Sequence, residues 1–166
     1  MTHHKVEENM NSELDVKGAA VKFPPPLVFL LVVAASWSLD YFYPLRLGTS
    51  SAFLYAGILV FASGAIAAYL ALQIFKQAKT NIEPWKPTRQ IVSSGIYGYT
   101  RNPMYLAFCL GQIGIGLAVN SYWVLFGFIV LGFILYHIAI KKEEAYLENK
   151  FGEEYVNYKN AVRRWL

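Results

Sequence analysis

Two polar clusters in the second half of the chain carry residues that could do chemistry. One is Arg101-Asn102-Pro103 and the other is Glu143-Glu144. Each stands at one end of an apolar run, 106–119 for the first and 122–140 for the second. Asn suits a helix N-cap and Pro suits the first helical position, so a helix is predicted from Pro103 with Asn102 as its cap. Backbone N–H groups left free at a helix start favour an anion such as a carboxylate or phosphate, and Arg101 adds a fixed positive charge. A carboxylate pair suits the opposite chemistry: an ammonium, a ribose hydroxyl or an adenine amino group. Asn120-Ser121 reads as a tight turn. A hairpin there folds 103–119 against 122–140 and brings both clusters to one membrane surface. Taken singly, the clusters also read as a capped helix with an interfacial Arg and as solvated charge at a helix exit. Gathered around an apolar cleft, they imply an enzyme that draws one substrate from water and one from lipid.

Other reactive residue types point to structure rather than chemistry. His137 reads as an interfacial histidine at the membrane boundary. His3-His4 lack further ligands, so no metal site is expected. Cys109, the single cysteine, lies inside an apolar run and reads as a small packing residue. The run Gly111-Gln112-Ile113-Gly114-Ile115-Gly116 has the wrong glycine order for a dinucleotide fingerprint and no preceding strand; close helix packing explains it. Basic patches suited to nucleic acid are not evident.

The elements that must position these residues are membrane helices. Of 166 residues, 55% are hydrophobic and 16% charged, against about 25% charged in soluble domains. The apolar residues fall in long runs with Tyr and Trp at their ends, as interfacial belts require. The fold class expected is all-α: an integral membrane protein with about four transmembrane helices, a helical hairpin in its C-terminal half, a cytoplasmic loop and an amphipathic C-terminal helix. Segments are predicted at 26–43, 51–75, 103–119 and 122–140, the third being short and glycine-rich. Small residues Gly57, Ser63, Gly64, Ala67 and Ala68 allow close helix approach in the second. Three regions follow: a polar N-terminal arm over 1–22, solvated or lying on the surface; a two-helix membrane region over 23–75; and a core with the candidate pocket over 76–166. No cleavable signal peptide is read in the arm. The connection 76–102 is long enough to be functional, and its Trp85, Ile91, Tyr97 and Tyr99 favour packing on the membrane face. Phe151, Tyr155, Tyr158 and Val162 form a helical apolar stripe. Lys and Arg in 76–102, with Lys141-Lys142, place both termini in the cytoplasm.

In order along the chain, Asn81-Ile82-Glu83-Pro84, Gly95-Ile96-Tyr97, Arg101-Asn102-Pro103-Met104-Tyr105, Glu143-Glu144, Phe151-Gly152 and Tyr155-Val156-Asn157-Tyr158 resemble the isoprenylcysteine carboxyl methyltransferase family and its bacterial relatives. The resemblance covers about residues 76–166. Phospholipid N-methyltransferases share a related membrane core. The resemblance implies an integral membrane methyltransferase using S-adenosylmethionine, in a bacterial or archaeal inner membrane. It implies that Arg101, Asn102, Pro103 and Tyr105 line the cofactor pocket, that Glu143 and Glu144 form the opposite wall, and that Tyr97 is a neighbour. Tyr158, Arg163 and Arg164 would line the acceptor side. Asn102 stands where eukaryotic members often carry histidine, Ala161 where relatives often carry arginine, and Gly98 where a basic residue is frequent.

The donor's sulfonium already activates the methyl group, so the protein's main task would be alignment, and no residue is singled out as catalytic. A carboxylate acceptor is ionised at neutral pH and needs no base; an amine would need deprotonation. The leading expectation is methyl transfer to a lipidic acceptor, the carboxylate of an isoprenylated cysteine-like molecule first. Phospholipid amine methylation is the alternative within the same chemistry. A sterol-reductase-like NADPH enzyme and a non-catalytic membrane scaffold are alternatives of other classes. The oligomeric state is left open.

Overall fold

A computed structural model of the chain describes residues 18–166. His3-His4 and most of the 1–22 arm lie outside the described residues. Four apolar helices form the body: α1 (Pro25–Phe42), α2 (Ala52–Gln77), α3 (Pro103–Ala118) and α4 (Tyr122–Leu135). A π-helical turn, Tyr136–Ile140, joins α4 to α5 (Lys141–Phe151), and α6 (Glu153–Ala161) follows. Helix is the only regular structure among the described residues.

Three helical stretches are long and apolar enough to cross a membrane: α1, α2 and the continuous run Tyr122–Phe151. At 1.5 Å per residue, the 30-residue run is about 45 Å long. A hydrocarbon core is about 30 Å thick, so its last turns project beyond that core and carry Glu143 and Glu144 with them. The 16 residues of α3 span about 24 Å. This helix is the centre of the bundle, packing chiefly on α2 and α4, while α1 packs on α4.

Glycine explains how α3 fits there. A Cβ on Gly114 would lie 2.6 Å from the Phe61 backbone nitrogen, and one on Gly57 would lie 2.5 Å from the Ala118 nitrogen. The α2 and α3 backbones therefore touch, which is how small residues drive association where lipid removes the hydrophobic incentive. The buried stripe of α2 is Gly57, Gly64, Ala67 and Ala71. Ser63, expected among the small contact positions, is exposed, and its hydroxyl donates back to the Val60 carbonyl at 2.7 Å. Cys109 packs in the core with Leu131, Leu135 and Tyr105.

At the end of the bundle away from the polar clusters, Asn120 makes the turn between α3 and α4 with φ 59°, a left-handed conformation that Asn tolerates better than most residues. Its side-chain oxygen accepts from the Leu47 and Gly48 N–H groups at 3.1 Å each, and its nitrogen donates to the Gly48 carbonyl at 2.7 Å. One residue thus sets the hairpin and ties the α1–α2 connection to it. Ser121 caps α4, accepting from the Val124 N–H.

At the other end, the connection between α2 and α3 is folded against the bundle. Asn81 donates to the Pro87 carbonyl at 2.9 Å, the Arg89 N–H donates to Thr80 Oγ1 at 2.9 Å, and the Thr88 N–H donates to the Tyr146 hydroxyl oxygen at 3.1 Å. The last residues of the expected N-terminal arm are partly packed, although Ala20 and Lys22 stay exposed. Ala19 and Val21 are buried, and the Ala19 N–H donates to the Pro84 carbonyl at 2.7 Å. Their apolar side chains find cover under the loop, so residues 18–22 are part of the packed body.

The amphipathic tail also departs from one continuous helix. Gly152 adopts φ 54°, ψ −125° between α5 and α6, a region open to glycine and strained for other residues. Val162 has left the helix for extended backbone. Tyr155 and Tyr158 therefore turn toward the loop on a separate short helix.

Candidate active site

The two clusters meet. The Tyr105 hydroxyl, one turn into α3, donates to Glu143 Oε1. Arg101 Nη1 lies 3.4 Å from Glu144 Oε1. Two features bring these groups level. Pro103 starts α3 directly after the Thr100–Asn102 corner. The π turn inserts an extra backbone position before α5, and π turns recur at functional sites because they re-aim side chains.

Asn102 occupies the N-cap position, but its side chain does not cap α3. Its Nδ2 instead donates to the Arg164 carbonyl at 3.0 Å, and the Thr100 hydroxyl donates to the same oxygen at 3.1 Å. The amide is drawn to a carbonyl of the C-terminal segment that no local sequence pattern reveals. Without a side-chain cap, the first N–H groups of α3 stay available to a ligand.

A cavity of about 300 Å³ opens between these elements. Tyr97, Arg101, Asn102, Pro103, Tyr105, Glu143, Glu144 and Tyr158 all line it, so eight of the ten residues singled out in the sequence reach one space. Arg163 and Arg164 are not on its wall. Arg163 is exposed, and Arg164 lies behind Glu144, donating to both its oxygens at 2.8 and 2.9 Å. His137 is exposed, with its ring 4.5 Å from that of Phe133 and 5.0 Å from that of Tyr136, away from the cavity wall.

The rest of the wall is mostly apolar. Pro25 and Pro26 open α1, Leu72 and Phe75 close α2, Phe108 lies deeper on α3, and Ala19, Trp85 and Val92 come from the flanking segments. The wall thus combines charged groups with a large apolar surface. Sequence reading missed Tyr155, which is 2% exposed and lines the cavity. Its place in the apolar stripe was the available signal.

The electrostatics sort the polar groups. The Arg101 side chain is 8% exposed, yet its Nε and Nη1 hydrogens meet no acceptor in hydrogen-bond geometry, Glu144 Oε1 standing 3.4 Å from Nη1. A buried donor left without a partner is costly, which makes the Arg101 guanidinium a candidate contact for a ligand acceptor. Burial pushes the Tyr155 hydroxyl up to about 12, Glu144 reinforcing the shift and Arg101 opposing it. Burial likewise raises Tyr97 and Tyr158, whose hydroxyl donates to the Tyr97 carbonyl at 2.8 Å. All three phenols are neutral donors at neutral pH.

Apolar helices long enough to span, with a mostly apolar cavity that also carries Arg101, Glu143 and Glu144, define a small integral membrane protein. The chain belongs to the phospholipid methyltransferase family, whose model matches residues 52–154. It is 40% identical over 63 residues to an uncharacterized protein of Haemophilus influenzae, a match covering 38% of this chain and all of that protein. It is 36% identical over 72 residues to the protein-S-isoprenylcysteine O-methyltransferase of Saccharomyces cerevisiae, and 31% identical over 72 residues to that of Schizosaccharomyces pombe. Each match covers 43% of this chain and 30% of the yeast protein. The chain thus spans under a third of the length of these two relatives.

Proposed function

We propose that the chain is an S-adenosylmethionine-dependent membrane methyltransferase acting on a lipidic acceptor, with a carboxylate of an isoprenylated cysteine-like thioether acid as the leading acceptor. Family membership and the names of the two yeast relatives support methyl transfer, and O-methylation over N-methylation. The observation that carries the reading is the mixed lining of one cavity, where Arg101, Glu143 and Glu144 share the wall with apolar side chains such as Phe75, Trp85 and Phe108.

The residues present fit the donor. Arg101, with two buried N–H groups lacking acceptors, suits its carboxylate, and the uncapped start of α3 adds donors beside it. Glu143 and Glu144 suit its ammonium or ribose hydroxyls. When bound, the donor supplies a methyl group activated by sulfonium charge. Tyr105 holds Glu143, and Tyr158 is fixed by its bond to the loop. Rigid placement of this kind is how a site supplies orientation, which alone accounts for up to about 7–11 kcal/mol in favourable intramolecular reactions. The apolar wall excludes water and receives the acceptor's hydrocarbon.

The cytoplasm is the side proposed for this site, since Lys76, Lys79, Lys86, Arg89, Lys141 and Lys142 cluster at this end of the bundle. Calorimetric titration with S-adenosylmethionine tests the donor: saturable binding is expected, and its absence from folded protein contradicts the reading. Product analysis after labelled transfer to native lipids separates ester from amine products.

A further inference from the structure

The segment after α6 runs back across the start of α3. The Arg101 N–H donates to the Arg163 carbonyl at 3.0 Å, and Thr100 and Asn102 hold the Arg164 carbonyl. The Arg164 side chain reaches Glu144 with Nε at 2.8 Å and Nη2 at 2.9 Å, one bond to each oxygen. Its guanidinium stands 5.1 Å from the Tyr136 ring centre, which holds it further in place.

Glu144 therefore lies between two arginines and is unequally shared. Arg164 takes both oxygens in the planar fork that guanidinium and carboxylate prefer. Arg101 stands 3.4 Å away without hydrogen-bond geometry. Were Arg164 absent, Arg101 would be the remaining guanidinium beside a carboxylate that is only 13% exposed. Closing that gap would turn the existing ion pair into a hydrogen bond and occupy Arg101 N–H groups from within the protein.

We propose that Arg164 is a positioning residue: it holds Glu144 off Arg101, and so keeps the Arg101 guanidinium open for a ligand carboxylate. Through its carbonyl, the same residue fixes the Asn102 amide. The inference rests on the reading that Arg101 faces the ligand. The carboxylate belongs either to the donor's amino-acid end or to an acid acceptor.

The test uses the full chain in lipid nanodiscs, as wild type, Arg164→Ala, Arg164→Lys and Arg101→Ala. S-adenosylmethionine and its decarboxylated analogue are titrated, and acceptor KM and kcat are measured with a farnesyl thioether acid. If the donor's carboxylate docks, Arg164→Ala weakens S-adenosylmethionine by about tenfold or more while the decarboxylated analogue stays within about twofold. If the acceptor's carboxylate docks, KM for the acid rises by a similar factor while kcat and donor affinity hold. Arg164→Lys recovers part of either loss, because an ammonium cannot engage both oxygens in one plane. Should Arg164→Ala fail to fold, Arg164→Lys carries the same comparison, with a smaller loss confined to the carboxylate-bearing ligand. Equal losses for S-adenosylmethionine and its decarboxylated analogue overturn the proposal, as does no change in either parameter while Arg101→Ala weakens one. If Arg101→Ala also changes neither, the reading of the cavity falls instead.

Discussion

Arg101 and Tyr105 lie one turn apart at the start of α3 and engage two neighbouring carboxylates in different ways. Tyr105 satisfies Glu143 within the protein, whereas Arg101 leaves N–H groups without a hydrogen-bond partner, which we assign to a ligand. Their replacements should separate folding from binding. Tyr105→Phe leaves the Glu143 carboxylate without its phenol donor, at a cost of about 1–3 kcal/mol in stability. Thermal unfolding in detergent should show a lowered midpoint, and an unchanged midpoint would mean that the Tyr105 hydroxyl does not stabilise the fold. Arg101→Ala should still unfold cooperatively, since the native protein gives two of its N–H groups no acceptor and Glu144 keeps Arg164 as its partner. It should weaken S-adenosylmethionine by about tenfold to a hundredfold in calorimetry. Unchanged affinity contradicts the assignment of Arg101 to the ligand.

The α2–α3 pair holds the site because their backbones touch at glycine. Two substitutions on one helix test this. Gly114→Ala places a Cβ 2.6 Å from the Phe61 backbone nitrogen and should force α2 and α3 apart, with a loss of about 1–3 kcal/mol from overpacking. Gly111→Ala meets the Phe29 ring at 3.5 Å and the Phe61 ring at 4.0 Å, both ordinary contacts, and should be tolerated. Folded yield in detergent distinguishes them, and equal behaviour would show that glycine spacing is not what seats α3. The helices themselves were legible in the sequence. The segments read at 26–43 and 51–75 correspond to Pro25–Phe42 and Ala52–Gln77, because apolar runs bounded by Pro and aromatic residues leave little choice. The meeting of Arg101 with Glu144 was legible as well, through the Asn120-Ser121 turn. Three features were not. The π turn has no composition signature, the Asn102 amide is claimed by a carbonyl 62 residues away, and Arg164 reaches Glu144 only because Gly152 breaks the tail into two helices. Each depends on where distant backbone arrives, and local pattern does not carry that information.

For the molecule as a whole, the membrane sets both orientation and chemistry. Lys86 and Lys142 flank the same end of the bundle, and cysteines placed there in a Cys109-free background should both label from the cytoplasmic side of intact vesicles. Labelling from opposite sides would overturn the topology. On the proposed reading, the apolar side chains of the cavity wall, Phe75, Trp85 and Phe108 among them, receive the acceptor's hydrocarbon. Lengthening the acceptor tail should improve kcat/KM until that wall is covered, with about 0.8 kcal/mol available per buried CH₂. Partitioning into the bilayer produces a similar trend, so acceptors must be compared at equal concentration within the lipid. The most direct measurement supplies purified protein in nanodiscs with S-adenosylmethionine carrying a labelled methyl group and with a farnesyl thioether acid. Label should appear in a base-labile methyl ester of that acid, faster than in a short, water-soluble analogue at matched lipid concentration. Equal rates for the short analogue after that correction, or label confined to soluble metabolites, would contradict a lipid-acceptor methyltransferase.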